Sequence, residues 1–292
     1  MPIINSANIC PLTWAGLKNN MESFSKVKKQ EWQTWAKTWR AFYAPWVPSQ
    51  ERINIYRSLI KKYVKGRDVL ILGSTPRVRD LLASLRFNVM LVDISPLMVR
   101  AMTSLRKTKS PEKIVFNNWL KMNLNKKFDL IIGDSTTCNL QPKDYQNYFK
   151  NIKKHLKDDG AVILQNPSTV RTKSKITFSK IIKKVKQNPD YYKNYLNRAY
   201  DYVDLSLNSI KNNMFDFGGL DREYFNKFYQ KEISKKELKL LSFGFGKLMV
   251  SFYSQSKLRE ILKKHFLIAE EVYEKKHKVY KDFYRIYLLK KK

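Results

Sequence analysis

The chain has 292 residues, 43% of them hydrophobic, and is long enough for one enlarged α/β domain or a domain with an insertion. Its two cysteines and three scattered histidines do not suggest a disulfide framework or a histidine metal cluster, so we expect no structural metal. We also expect a cytoplasmic protein without a membrane span, because the sequence has no run of about eighteen apolar residues and no recognisable secretory signal.

The formal charge of +32 has two interpretations. One is an electrostatic footprint for nucleic acid or another polyanion. The other is a bias in composition, because lysine greatly outnumbers arginine, and asparagine, isoleucine and tyrosine are also abundant. Proteins that bind nucleic acid tend to favour arginine for bidentate contacts. Nucleic acid therefore stays open as a partner without being favoured.

Two amphipathic helices are predicted at the start of the chain. The first, over residues 24–44, places four aromatic side chains on one face: Trp32, Trp35, Trp39 and Phe42. Two prolines between 44 and 48 end it, and Ser49 is predicted to cap the second helix. We expect residues 1–66 to form a helical arm that acts as a lid, with Trp39 and Tyr43 as candidates for lining a substrate pocket.

Residues 69–93 have the pattern of a strand, a turn, a helix and a second strand. A buried strand runs into Gly73, where the backbone must turn tightly or let a ligand approach closely. Thr75 then reads as a helix N-cap and Pro76 as the first helical residue. The second strand ends in Asp93, and 93 − 73 = 20 residues separate it from the glycine. A nucleoside cofactor binds such a unit with its charged end at the helix N-terminus and its ribose hydroxyls on the carboxylate.

The dinucleotide pattern G-x-G-x-x-G does not fit this turn. Thr75 and Val78 stand where the second and third glycines should be. This departure counts against NAD or FAD as the ligand.

Strands and helices continue to alternate up to residue 167. We predict a helix after Ser95, a strand over 114–116, a strand over 128–134, a helix over roughly 142–156, a turn over 156–160 and a strand over 161–164. Such alternation implies a mostly parallel, doubly wound sheet.

With these motifs in order, the sequence resembles the class I, Rossmann-like S-adenosylmethionine-dependent methyltransferases. The likeness covers about residues 67–167 and resumes near 252–290. Five short stretches carry it: Val69 to Gly73, Val92 to Ser95, Asn118-Trp119, Phe128 to Asp134, and Leu156 to Gly160. The resemblance implies a seven-stranded sheet in the order 3-2-1-4-5-7-6, whose last strand is antiparallel.

The resemblance also implies a role for each residue of a cofactor site. Amides of Gly73, Ser74 and Thr75 would lie near the methionine end, and Arg77 or Arg79 would neutralise its carboxylate. The other implied contacts are Asp93 and Ile94 at the ribose, Asn118 and Trp119 at the adenine, and Asp134 and Ser135 near the sulfonium. No histidine is placed to act as a base, so the candidates for that catalytic role are Asp134 and the tyrosines of residues 168–242.

The remaining segments divide into a cap and a closing unit. Residues 168–242 form an insertion that we predict to be helical, with breaks near 188–189 and 217–219, over the carboxyl ends of the strands. Its tyrosines would either line a substrate pocket or pack against one another. Residues 243–292 would supply a closing helix and the last two strands of the core, which itself spans 67–167.

We therefore predict an enzyme that moves a methyl group from S-adenosylmethionine to a small-molecule acceptor by in-line displacement, leaving S-adenosylhomocysteine. Two alternatives stay open: an RNA methyltransferase, favoured by the charge, and a non-catalytic cofactor-binding or scaffold protein. The acceptor atom and the oligomeric state do not follow from the sequence.

Overall fold

The computed structural model describes residues 36, 39, 43–171, 173–243 and 249–292. The predicted helix over 24–44 therefore lies almost entirely outside the described residues, and so do Trp32, Trp35 and Phe42. Within the described ranges, no helix is both long and apolar enough to cross a membrane.

The described residues form ten strands and eleven α-helices. The strands are β1 Asp68–Leu72, β2 Asn88–Asp93, β3 Lys113–Phe116, β4 Phe128–Asp134, β5 Leu156–Thr169, β6 Met214–Asp216, β7 Met249–Ser251, β8 Tyr253–Ser254, β9 Phe266–Val272 and β10 Tyr284–Lys291. The helices are α1 Gln50–Tyr63, α2 Pro76–Ser84, α3 Pro96–Thr103, α4 Tyr145–His155, α5 Phe178–Gln187, α6 Pro189–Lys193, α7 Tyr195–Ser206, α8 Phe217–Tyr229, α9 Lys235–Leu241, α10 Gln255–Lys263 and α11 Lys278–Phe283.

Seven strands of the central sheet follow the order β3-β2-β1-β4-β5-β10-β9, and the two-residue β8 pairs with the end of β5 as an eighth. The first five pair in parallel, whereas β10 is antiparallel to both β5 and β9. Parallel neighbours need crossover connections, and α2, α3 and α4 lie in the connections from β1 to β2, from β2 to β3 and from β4 to β5. The antiparallel β10 instead follows β9 after residues 273–283, which include α11. The predicted α/β fold and strand order are confirmed, with β9 and β10 as the sixth and seventh strands.

Helices cover both faces of this sheet, as a parallel sheet requires. On one face, α1 and α2 bury apolar side chains such as Ile53, Leu59 and Leu82 against the strands. On the other face, α4 and α10 pack Phe149 and Leu262 against the alternate strand residues. The strand residues alternate between the two clusters because successive side chains point to opposite faces. Because β1 to β5 are parallel, their carboxyl ends meet at one edge of the sheet.

The segment between β5 and β9 builds a separate apolar cluster. It joins α5 to α9 and the short antiparallel pair of β6 and β7 with α11, which follows β9, and it also includes Cys138 after β4 and Tyr284 at the start of β10. The aromatic side chains here pack on one another: Tyr202 stacks on Phe217 with the ring centroids 5.7 Å apart, and Trp46 meets Phe217 edge-on at 5.4 Å. The cap tyrosines were expected either to line a substrate pocket or to pack against one another, and Tyr202 packs in the interior of the cap.

Two local predictions were wrong. The sequence predicts a turn over 156–160, but these residues belong to β5, which pairs with β4 through a register irregularity between Phe128 and Leu130. The sequence also predicts a break at Phe217–Gly219, yet α8 begins there. Asp216 accepts a hydrogen bond from the amide of Gly219 at 2.8 Å and so caps the helix, which keeps both glycines in its first turn.

Candidate functional site

The junction between β1 and α2 is a left-handed turn at Gly73, whose φ is +86°. Its amide donates to the carbonyl of Val92 at 2.9 Å, which ties the turn to the end of β2. Thr75 occupies the N-cap position of α2, but among the described residues its side chain makes no capping hydrogen bond. The first amides of a nine-residue helix thus point at the strand edge without a side-chain cap, which suits an anionic ligand group.

Asp93 ends β2 beside this turn and is only 8% exposed. Burial raises the pKa of its carboxyl group, while hydrogen bonds from the amide of Ser95 and the hydroxyl of Ser74 act in the opposite direction. The Ser95 amide binds Oδ1 at 2.9 Å. A carboxylate held in a desolvated place at a strand end is suited to accept hydrogen bonds from ligand hydroxyls. Ile94, the next residue, is half-buried.

The Asn118–Trp119 pair follows β3 and reaches the same edge. The indole Nε1 of Trp119 donates to the carbonyl of Val92 at 2.9 Å. A Cβ atom added to Gly73 would lie 3.6 Å from this indole, so the ring and the glycine turn are neighbours. The side-chain oxygen of Asn118 accepts from the amide of Leu120 at 2.9 Å, so it holds its own turn. The predicted adenine contacts of this pair stay a prediction.

The two arginines offered as partners for the methionine carboxylate have different surroundings. Arg79 is fully buried and pairs with Glu112 at 2.6 Å. Arg77 is exposed at the start of α2, where it donates to the carbonyl of Pro48 at 2.5 Å and to Gln50 at 2.8 Å. Because the Arg79 guanidinium is already paired with Glu112, the geometry favours Arg77 as the partner of the methionine carboxylate.

Asp134, at the end of β4, lies in a buried cluster of charges that the sequence did not indicate. Its Oδ1 accepts from the hydroxyl of Tyr56 at 2.5 Å and from the guanidinium of Arg52 at 3.2 Å. Arg52 also donates to Glu274 at 2.7 Å, and Ser49 donates to the same carboxylate. The side chain of Arg52 is 0% exposed and that of Asp134 is 4% exposed. One cation and two carboxylates thus meet out of water, with α1 as their support.

Ser135 follows Asp134 with a φ of +57°, which is unusual for a residue with a side chain. Its amide donates to the carbonyl of Gln165 at 3.0 Å, and its hydroxyl donates to the side-chain oxygen of Gln165 at 2.5 Å. The two bonds hold the residue in this conformation. Strained backbone of this kind gathers at binding and catalytic sites.

The two residues predicted to line a substrate pocket are less informative. Tyr43 is 59% exposed, and its ring meets that of Tyr195 in α7 edge-on at 5.5 Å. Trp39 is half-buried. Tyr43 therefore touches the cap from outside, and the pocket role of both residues stays a prediction.

Strand register explains which of these groups come together. Leu72 pairs with Val92 on one side and with Gly133 on the other. Gly73, Asp93 and Asp134 follow these paired positions and so lie at one edge of the sheet. A glycine turn, an uncapped helix N-terminus and a buried carboxylate fit a ligand that carries vicinal hydroxyls at one end and a carboxylate at the other.

Sequence reasoning missed three members of the site. Arg52 and Tyr56 are spaced i, i+4 on a helix whose apolar stripe includes Ile53, and a charged residue beside that stripe was a readable signal. Glu274 lies in the connection between β9 and α11, 222 residues from Arg52, and no local pattern marks it. Among the described residues, no group of three or more His, Cys, Asp or Glu side chains could hold a metal ion.

Comparisons with known proteins agree with this geometry. A family model described as a methyltransferase domain matches residues 66–280, more than half of the chain. A search of curated proteins found no match.

Several solved structures are similar to the chain. One is the 1,6-didemethyltoxoflavin-N1-methyltransferase of Burkholderia thailandensis, solved with 1,6-didemethyltoxoflavin and S-adenosylhomocysteine; it is 11% identical, with a TM-score of 0.57 over 97% of this chain and 92% of that chain. A second is an S-adenosylmethionine-dependent methyltransferase of Clostridium acetobutylicum, 17% identical, with a TM-score of 0.51 over 93% of this chain and 99% of that one. A third is the N-methyltransferase NodS of Bradyrhizobium japonicum, 11% identical, with a TM-score of 0.50 over 90% and 98% of the two chains. At these identities the likeness establishes a shared fold.

Proposed function

This chain belongs to the class I S-adenosylmethionine-dependent methyltransferases, and we propose that it methylates a small-molecule acceptor enclosed at the carboxyl edge of the sheet. The methyl donor is S-adenosylmethionine and the product is S-adenosylhomocysteine. When bound, the cofactor supplies an activated methyl group on a sulfonium sulfur. Membership of the family does not identify the methyl acceptor, so the class of acceptor is the part of this function that we propose.

The residues that would hold the cofactor are those gathered at the ends of β1, β2, β3 and β4. In this proposal the turn amides from Gly73 to Thr75 and the side chain of Arg77 face the methionine carboxylate. Asp93, beside Ile94, accepts hydrogen bonds from both ribose hydroxyls, and its desolvation strengthens these bonds. The implied adenine contacts come from Asn118 and Trp119.

The observation that carries the small-molecule proposal is the burial of the β4 end. Asp134 is covered by Arg52 and Tyr56 of α1, and α1 is held in place by Glu274, which lies in the connection after β9. The amides of residues 275 and 276 also donate to Glu51 of α1, at 2.8 and 3.2 Å. A strand edge closed in this way suits an acceptor small enough to be surrounded, whereas an RNA needs an open groove.

The similar structures support the same class of acceptor. The Burkholderia enzyme was solved with a small-molecule acceptor, and the Bradyrhizobium protein is an N-methyltransferase. On this basis residues 168–242 act as a cap over the acceptor, residues 1–66 as a lid, and residues 243–292 close the core of 67–167.

The protein's own task in such a reaction is to orient the reactants and exclude water. Methyl transfer is a displacement in line with the bond to sulfur, so positioning of the acceptor atom supplies most of the rate. Asp134 is the candidate to accept a proton from the acceptor. Arg52 and Tyr56 hold its Oδ1 and so fix the direction of its second oxygen.

Calorimetry with S-adenosylmethionine and S-adenosylhomocysteine tests the cofactor site, and we expect dissociation constants in the micromolar range usual for soluble enzymes. Heat with NAD and none with either of these two ligands would contradict the proposal. Methyl transfer to RNA, together with salt-dependent retention on RNA, would favour the RNA methyltransferase that the charge of +32 keeps open. Tight cofactor binding without transfer to any acceptor would favour a scaffold protein.

A further inference from the structure

We propose that Gln165 and Asp134 form a paired donor and acceptor that binds the methyl acceptor, and that this acceptor presents an N–H beside a carbonyl oxygen, as a cyclic amide does. The inference rests on the proposed function and names the substrate class of the same site. Neither the family resemblance nor the comparisons assign a role to Gln165.

The two side chains are neighbours on one face of the sheet. Asp134 of β4 pairs in register with Gln165 of β5, and the strands are parallel. Paired residues of parallel strands direct their side chains to the same face, and adjacent strands lie about 4.8 Å apart. The preceding pair on this face, Ile132 and Ile163, lies in the core cluster beneath α1. Both polar side chains therefore lie between the strand ends and α1.

Gln165 has an unused hydrogen-bond donor in this place. Its side chain is 0% exposed, and its Oε1 accepts from the hydroxyl of Ser135 at 2.5 Å. Its Nε2 has no hydrogen-bond partner among the described residues. Leaving a buried amide group unpaired costs about 1–3 kcal/mol, which a bound ligand with an acceptor atom would recover.

Asp134 has an unused acceptor beside it. The contacts from Tyr56 and Arg52 both go to Oδ1, and none of the described residues donates to Oδ2. The residue next to it, Ser135, is held at a φ of +57° by its bonds to Gln165. That conformation fixes the relative position of the amide and the carboxylate.

A ligand complementary to this pair must donate to the carboxylate and accept from the amide at neighbouring atoms. The N–H and C=O of a cyclic amide satisfy both at once, and since each group can play only one role, the orientation is determined. The same logic lets glutamine read the edge of a base by two parallel hydrogen bonds. A protonated amine offers donors only and would leave Gln165 unpaired.

The reaction at this site balances without another reactant. The acceptor nitrogen forms a bond to the methyl carbon while the bond from that carbon to sulfur breaks. The electron pair of the broken bond stays on sulfur, which gives S-adenosylhomocysteine. The proton of the N–H group passes to Oδ2 of Asp134 and from there to water.

The experiment uses the full chain saturated with S-adenosylhomocysteine and four probes followed by saturation-transfer NMR. The probes 2-pyridone and hydantoin carry the N–H and C=O pair, whereas benzylamine and catechol do not. We expect 2-pyridone and hydantoin to bind more tightly than benzylamine and catechol. Gln165→Leu should raise the dissociation constant of 2-pyridone at least tenfold and leave that of S-adenosylhomocysteine within twofold. Gln255→Leu is the matched control, because Gln255 is also buried with an unpartnered Nε2 but lies at the start of α10 on the other side of the sheet.

Three results would overturn the inference. The first is tighter binding of benzylamine or catechol than of the two cyclic amides, a result that the wild-type protein alone can give. Another is the absence of binding by both cyclic amides. The third is a loss of S-adenosylhomocysteine affinity in Gln165→Leu, which would assign Gln165 to the methionine end of the cofactor. If the wild-type protein bound neither form of the cofactor, the proposed function would fail first and this inference with it.

Discussion

Replacing Asp93 with asparagine should stabilise the fold and weaken cofactor binding at the same time. Burial raises the pKa of the Asp93 carboxyl group, so its ionised form is disfavoured in the folded protein relative to the unfolded chain. Asparagine removes that charge but keeps a side-chain oxygen for the amide of Ser95, which now binds Oδ1 at 2.9 Å.

The effect on stability depends on pH in a definite direction. Below the unfolded-state pKa of about 3.9, the carboxyl is protonated in both states and the two proteins should unfold at similar temperatures. As pH rises through the higher pKa of the folded state, the wild type loses stability relative to Asp93→Asn. The difference in Tm should therefore be small near pH 3.5 and largest at neutral pH, with the variant more stable.

The effect on binding has the opposite sign. A hydrogen bond to a charged group contributes about 1.5–3 kcal/mol and one between neutral groups about 0.5–1.5 kcal/mol. Changing two ribose contacts from charged to neutral should thus cost about 2–3 kcal/mol, a rise of roughly 30- to 150-fold in Kd.

Calorimetric titration with S-adenosylhomocysteine and thermal unfolding at several pH values measure both effects. Asp129→Asn is a suitable control, because Asp129 lies at the opposite end of β4 and pairs with Lys157 at 2.9 Å. It should lower Tm and leave Kd unchanged. An unchanged Kd in folded Asp93→Asn would remove Asp93 from the cofactor site, and a lower Tm at neutral pH would refute the desolvation argument.

Three further predictions concern the same edge of the sheet. Arg52→Met leaves the carboxylates of Asp134 and Glu274 buried without their cation and should cost about 3–5 kcal/mol in chemical denaturation, whereas a loss under 1 kcal/mol would mean that water reaches the cluster. Gly73→Ala forces a side chain onto a φ of +86° and should cost about 1–2 kcal/mol; unchanged stability and Kd would show that the turn can rearrange. Ser135→Gly and Ser135→Ala both lose the hydroxyl contact, but glycine relieves the φ of +57° and should be more stable than alanine by about 1 kcal/mol in urea unfolding, and equal stabilities would count against strain at this residue.

Much of the fold was readable because its signals are local. The apolar run before Gly73 and the acid at Asp93 lie on one continuous segment, and the helix caps at Ser49 and Ser95 accept from amides three residues on, as the sequence predicts. Strand order was predicted through the family resemblance and is confirmed. The turn over 156–160 was wrong because the segment lies inside β5: the pairing with β4 begins at Leu156, resumes at Ala161, and takes up the residues between them as a register irregularity.

The sequence alone thus determined the α/β class, the glycine turn and the carboxylate at the end of β2, all of which depend on residues close together in the chain. Only the tertiary structure revealed that Arg52 joins Asp134 to Glu274, and that Gln165 of β5 pairs in register with Asp134 of β4. These contacts join segments far apart in sequence, so no periodicity or spacing records them. They arise from strand register and from the packing of α1 on the sheet.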